Sequence, residues 1–120
     1  MAKILIVDDE PQFRRVLRLA LALKGYDICE AGNGGDALKL MESQPLDLIL
    51  VDWLMPGMDG LSLCRAIRVA SDVPIILITS RHDARSAAIA AGANDYLRKP
   101  FAVDELAAHI QSALARRGDC

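Results

Sequence analysis

The chain has 120 residues, of which 52% are apolar and 25% charged, with a formal net charge of −2. That length suits one domain and is too short for two ordinary ones, and the composition can fill a core and excludes a disordered tail. Basic residues are dispersed along a nearly neutral chain, so no electrostatic footprint for nucleic acid is visible and none is expected to bind here. The opening MAKILIVDDE has a four-residue apolar run before two aspartates, unlike a secretory leader, and no stretch approaches the ~20 apolar residues of a membrane span. No membrane partner is expected. Cys29, Cys64 and Cys120 are odd in number, far apart and without a CxxC, which fits reduced thiols and a cytoplasmic location.

In chain order, Ile4–Val7 is a continuous apolar run, the pattern of a strand buried on both faces. Phe13, Val16, Leu17, Ala20 and Leu21 then form a helical stripe opposite Arg14, Arg15, Arg18 and Lys24, and Gly25 stops that helix. Asp27–Ala31 contains Glu30 and reads as an edge strand. A second helix runs from about Gly35 to Ser43 with Leu38 and Met41 inward. Leu48–Val51 is the next buried strand. A helix after Asp59-Gly60 carries Leu61, Cys64, Ile67 and Arg68. Ile75–Ile78 and the weaker Tyr96-Leu97 are strands flanking an alanine-rich helix over Ala84–Ala91 that ends at Gly92. The last helix covers Asp104–Arg117, with Leu106, Ile110, Ala113 and Leu114 inward and arginines at its negative end. Strands alternating with helices in this way predict a doubly wound α/β domain with a parallel sheet and right-handed crossovers. Residues 1–120 form a single domain on this reading, with a linker beginning at 117–120.

Ligands of open α/β sheets bind at the carboxyl ends of the strands, near the point where strand order reverses. There this chain places Asp8-Asp9-Glu10 after the first strand, Asp52 after the third, Thr79-Ser80 after the fourth and Lys99-Pro100 beyond the fifth. Alone, Asp8-Asp9-Glu10 would be explained by the positive N-terminus of a helix, Thr79 by β propensity, and Lys99 by solvent. Together they make a charge problem: Asp8, Asp9 and Asp52 sum to −3 and Lys99 leaves −2, which one divalent cation balances. An all-oxygen, carboxylate-rich donor set favours Mg²⁺ over zinc. A carboxylate beside such an ion can attack phosphorus, with Lys99 and the Thr79 hydroxyl neutralising the phosphoryl oxygens.

The strings ILIVDDE, LILVDWLMPGMDG, PIILITS and NDYLRKPF resemble, in order and over essentially the whole chain, the sequence blocks of the response-regulator receiver family of bacterial two-component signalling. The resemblance implies a five-stranded parallel sheet of order 2-1-3-4-5 flanked by five helices, as in the flavodoxin-like fold. It implies that Asp52 is the phosphoacceptor and that Asp9 ligates Mg²⁺ directly, Asp8 through water, with the Leu54 backbone carbonyl completing the protein ligands. It further implies that Thr79 is the switch hydroxyl, Tyr96 the switch aromatic and Lys99 the phosphate-pairing amine, with a cis bond before Pro100. The implied phosphodonor is a sensor histidine kinase or a phosphotransfer protein. Such a domain catalyses its own phosphorylation and dephosphorylation and turns over no external substrate. The output face is that of the fourth helix, fifth strand and fifth helix.

NDYLRKPF is most similar to receivers of winged-helix transcription regulators, which dimerise through charges on that face. Asp95 and Arg116 suit such roles, but His109 and Gln111 stand where arginines are expected, so only weak dimerisation after phosphorylation is predicted. The segment from Thr79 to Lys99 is about two residues short of the family spacing, half a helical turn. The resemblance implies that Leu54 and Arg81 sit at positions that tune access of the hydrolytic water, and a bulky apolar residue and a long cation there predict a slowly decaying phosphate. His82 and His109 are expected to be exposed and solitary, and Trp53 to lie partly exposed beside the site. Two other classes compete. Gly32-Asn33-Gly34-Gly35-Asp36-Ala37 fits the GxGxxA dinucleotide pattern, although Asp36 would repel a pyrophosphate and the pattern leaves Asp8, Asp9, Thr79 and Lys99 unexplained. A hydrolase of the DxD type fails because Leu54 occupies the second acidic position. A phosphorylation-independent binding module with a degenerate pocket is the remaining alternative.

Overall fold

Alternate residues of a strand point to opposite faces of a sheet, and here both faces are covered, so the apolar runs are unbroken. The computed structural model describes residues 1–118. Its elements are β1 (Lys3–Val7), α1 (Pro11–Leu23), β2 (Asp27–Ala31), α2 (Gly34–Ser43), β3 (Leu48–Asp52), α3 (Gly60–Ala70), β4 (Ile75–Thr79), α4 (Arg85–Ala90), β5 (Asp95–Arg98) and α5 (Val103–Gly118). The five strands pair in parallel in the order β2-β1-β3-β4-β5, as expected. Leu5, Val7, Ile49, Val51, Ile75 and Leu77 point to one layer with Leu63, Cys64 and Ile67 of α3 and Ala88 of α4. Their neighbours Ile4, Ile6, Leu48, Leu50, Ile76 and Ile78 point to the other, against Leu17 and Leu21 of α1 and Leu106, Ile110 and Ala113 of α5.

Helix termini follow local chemistry. Asn33 and Asp59 cap α2 and α3, their side-chain oxygens accepting from the amides of Asp36 and Ser62, both at 2.8 Å. The GxGxxA segment is thus a helix cap at the end of edge strand β2, and a Cβ on Gly34 would sit 2.7 Å from the Met58 sulfur.

Three features depart from the sequence expectation. Val16, assigned to the inner stripe of α1, is 60% exposed. Phe13, Leu17 and Leu21 follow the four-residue ridge toward the sheet, and position 16 lies a hundred degrees or so around the helix from Leu17. Helix α4 is shorter than Ala84–Ala91, and Ala84 offers no side-chain cap. Residues 117 and 118 continue α5, and the remainder of the expected linker, with Cys120, lies outside the described residues.

Arg68 does more than end an apolar stripe. From the last turn of α3 its guanidinium donates to the carbonyls of Gly92 (2.8 Å) and Val73 (2.6 Å) and to Asn94 Oδ1 (2.7 Å), which also accepts from the Ile75 amide. One side chain thus ties α3 to the starts of β4 and β5. Arg68→Ala removes the guanidinium donor from the Gly92 and Val73 carbonyls and leaves Asn94 Oδ1 only the Ile75 amide, and is predicted to cost about 2–3 kcal/mol, read as a lower urea midpoint at an unchanged slope.

Candidate functional site

Between β1 and β3 the connections leave in opposite directions, because β2 lies on one side of β1 and β4 on the far side of β3. The crevice at this reversal is floored by the residues that end the two strands. Asp8 follows β1 directly and is 2% exposed, while Asp52 is the last residue of β3 and 8% exposed. Asp8 Oδ1 accepts from the Glu10 amide at 2.8 Å, and its Oδ2 is buried with no hydrogen-bond partner. The Asp8 carbonyl accepts from Arg14 Nη1 at 2.5 Å, and Glu30 of β2 holds that arginine at 3.1 Å. This explains the acid in an edge strand, since Glu30 and Arg14 lock the turn after β1.

Lys99 completes the cluster. Its amide donates to the Thr79 carbonyl at 2.7 Å, extending the β4–β5 ladder beyond the strand ends. Its Nζ lies 3.5 Å from Asp52 Oδ1 and 4.0 Å from Asp8 Oδ2. The Lys99-Pro100 bond is cis, as expected. Thr79 stands one residue past Ile78, the strand partner of Asp52, and its buried hydroxyl accepts from the Arg81 amide at 3.1 Å.

The electrostatics follow from burial. Asp52 is pushed up from the usual 3.8 to about 6, first by loss of water and then by the charge of Asp8, with Lys99 opposing both. Asp8 is also raised, again chiefly by burial, against the Glu10 amide and Lys99. One carboxylate oxygen each from Asp8, Asp9 and Asp52 lie within 4.8 Å of one another. An oxygen-only donor set, an unpartnered buried Oδ2 and two carboxyls held above their usual range by burial and by neighbouring acids all suit a small divalent cation.

Other expected residues fall around this centre. Leu54 is exposed, two residues past Asp52. Trp53, expected to be partly exposed, is buried: its ring belongs to the core facing α3, and the Arg81 guanidinium covers it at 5.0 Å. Arg81 also pairs with Asp83 at 3.2 Å. Tyr96 is half-buried and lines a cleft of about 470 Å³ between α4, β5 and α5, with Arg85, Ile89, His109 and Arg116. His109 is neither solitary nor fully exposed, because its Nδ1 meets Asp95 Oδ2 at 2.6 Å. His82 is exposed but touches the Arg98 guanidinium. The sequence reading missed a second role for Phe13, whose ring face lies 4.4 Å from Lys99 Nζ. Its place in the apolar stripe of α1 concealed it.

An open parallel sheet with buried aspartates and a lysine at its switch point defines a class of α/β domains built around a charged carboxyl-end pocket. Within that class the chain belongs to the response regulator receiver domain family, whose profile matches residues 4–111. It is 44% identical over 115 residues to a probable transcriptional regulator, ycf27, of Cyanidium caldarium, covering 94% of this chain and 46% of the relative. It is 37% identical over 119 residues to the DNA-binding response regulator MtrA of Mycolicibacterium smegmatis, covering 98% and 52%. The chain spans about half the length of these relatives. Among solved structures it resembles response regulator protein TrrA of Thermotoga maritima in complex with Mg(2+)-BeF, with a TM-score of 0.86 and 39% identity over 94% of this chain and 99% of that one. The chain is thus a receiver domain of the two-component response regulators.

Because Asp52 is raised to about 6 from 3.8, the folded protein takes up its proton at a higher pH than the unfolded chain does. The resulting stability is complete below the unfolded value and disappears as pH rises through about 6. In EDTA, wild type is therefore predicted to gain about 1 kcal/mol as pH falls from 7 to 5. Thermal melts are expected to show this rise, which Asp52→Asn removes and Mg²⁺ suppresses by favouring the ionised carboxylate.

Proposed function

We propose that this domain is a phosphorylation switch in which Asp52 accepts a phosphoryl group from a phosphohistidine of a sensor kinase or phosphotransfer protein. The observation that carries the reading is Asp52 itself, buried at the carboxyl end of β3 with Lys99 Nζ at 3.5 Å. An ionised Asp52 oxygen forms the new bond to phosphorus while the donor's bond to phosphorus breaks, its electron pair leaving with the donor. Lys99 and the Thr79 hydroxyl pair with the phosphoryl oxygens, and burial keeps both interactions strong. Asp8, Asp9, Asp52 and the Leu54 carbonyl would hold Mg²⁺, which when bound neutralises charge on the carboxylates and phosphoryl oxygens.

The output follows from Thr79. Turning its hydroxyl toward the phosphate surrenders its bond to the Arg81 amide, so the β4–α4 loop moves and Tyr96 repacks in the cleft of α4, β5 and α5. Self-association through that face is weak, because His109 already holds Asp95 and α4 has only six residues. Sedimentation of the phosphorylated chain is expected to show mostly monomer at micromolar concentration, and a tight dimer contradicts this. The relatives' descriptions as a probable transcriptional regulator and a DNA-binding response regulator support a receiver that controls a transcriptional output module.

Incubation with Mg²⁺ and acetyl phosphate is expected to add one phosphoryl mass to wild type and none to Asp52→Asn or in EDTA. Lys99→Ala is expected to slow the addition about 10²-fold. The bulky Leu54 and the Arg81 side chain anchored on Trp53 restrict the hydrolytic water, so the mass persists for minutes or longer after donor removal. Phosphate added elsewhere than Asp52, or none with the fold intact, overturns the reading in favour of a phosphorylation-independent binding module.

A further inference from the structure

We propose that Phe13 is a positioning residue for phosphoryl transfer, its ring face holding the Lys99 ammonium against Asp52 and Asp8. The proposal rests on the reading of Asp52 as phosphoacceptor. Lys99 Nζ lies 3.5 Å from Asp52 Oδ1, 4.0 Å from Asp8 Oδ2 and 4.4 Å from the Phe13 ring centroid. The ammonium faces the negative π surface, well inside the ~6 Å range of a cation–π contact. Lysine is a point charge on a flexible four-carbon stem, so two carboxylates alone fix neither its height over the pocket nor its direction of approach. The ring covers one side of the ammonium, and the Lys99 side chain keeps 30% exposure.

The ring is itself braced by the loop that carries the lysine. Phe101 meets Phe13 edge-on, with centroids 6.4 Å apart and an interplanar angle of 77°. Helix α1, which begins at Pro11 just after the Asp8-Asp9 turn, thus carries at Phe13 the seat of the lysine that faces Asp8 and Asp52. When Asp52 bonds to phosphorus and the donor's bond breaks, charge moves from the Asp52 oxygen to the phosphoryl oxygens. Lys99 must follow it by a short displacement, and an ammonium already seated on the ring makes that move without first shedding a full water shell. A side chain that only fills space between α1 and the β5–α5 loop needs volume there and no π face.

Leucine and tyrosine substitutions separate these roles. In the full 120-residue chain labelled at lysine Cε, the Lys99 ε-methylene protons are expected to be shifted upfield by the ring current before any donor is added. Phe13→Leu is expected to abolish that shift and Phe13→Tyr to keep it. With acetyl phosphate and saturating Mg²⁺, Phe13→Leu is expected to lower the maximal phosphorylation rate about 3- to 5-fold, with Phe13→Tyr restoring it. Half-saturation by Mg²⁺ is expected to be the same in all three, because Phe13 does not touch the metal oxygens. Phe13→Leu at the wild-type rate, or with an unchanged Lys99 shift, overturns the proposal alone. So does a Phe13→Leu loss that tyrosine fails to restore, or one matched by weaker Mg²⁺ binding, since both mark a packing role. A wild type that accepts no phosphoryl group overturns the Asp52 reading and this proposal with it.

Discussion

Asp8, Asp9 and Asp52 are brought within a few ångströms of one another in a pocket where two of them are nearly dry, and Lys99 is the cation that reaches in. Burial, and after it the charge of Asp8, raises the affinity of Asp52 for a proton, to about 6. A fold tolerates this only where the rest of its structure over-determines the geometry. Here two fully apolar layers clamp the strands from both faces, and the carboxylates sit at strand ends that cannot shift without moving the whole core. The electrostatic tension is what makes the pocket ready for a cation and for a phosphoryl group.

The supports of the cluster come from outside it. Glu30 and Arg14 fix the turn that presents Asp8, the Lys99 amide continues the ladder to Thr79, and Phe13 seats the ammonium. The far end of the sheet is pinned by Arg68 under β4 and β5 and by Arg117, which donates to the carbonyls of Leu46 and Asp47 at 3.2 Å. The site therefore lies at the strained edge of a sheet whose opposite edge is tied down by hydrogen bonds. The segment between Thr79 and Asp95 has fewer such ties, with an exposed loop and a short α4 that lacks a side-chain cap. A domain of this construction concentrates its freedom at the face that would report phosphorylation.

Much of this was legible in the sequence because continuous apolar runs have few readings. Leu48–Val51 and Ile75–Ile78 marked buried parallel strands, and β2 at Asp27–Ala31 fell where expected. The same strands told where Asp8, Asp52, Thr79 and Lys99 would meet, since each is the first polar residue past an apolar run or close to one. What the sequence concealed were pairings between elements distant along the chain. Nothing local to Phe13 says that its ring faces a lysine eighty-six residues later. Nothing near His109 or Trp53 says that Asp95 and Arg81 meet them, so their type and neighbours predict an exposed histidine and a partly exposed tryptophan. Val16 was misread for a related reason: an apolar residue at helical spacing need not face the sheet when the helix packs along a narrow ridge.

The most direct test of the charge-compensation account is a Mg²⁺ titration of the free domain followed by emission from Trp53, the residue next to Asp52. The account predicts a saturable change in wild type at neutral pH, lost in Asp9→Asn and shifted to higher Mg²⁺ as pH falls below about 6. A folded wild type with no saturable response, and no heat of binding by calorimetry, would mean that Lys99 alone satisfies the three carboxylates and would contradict it.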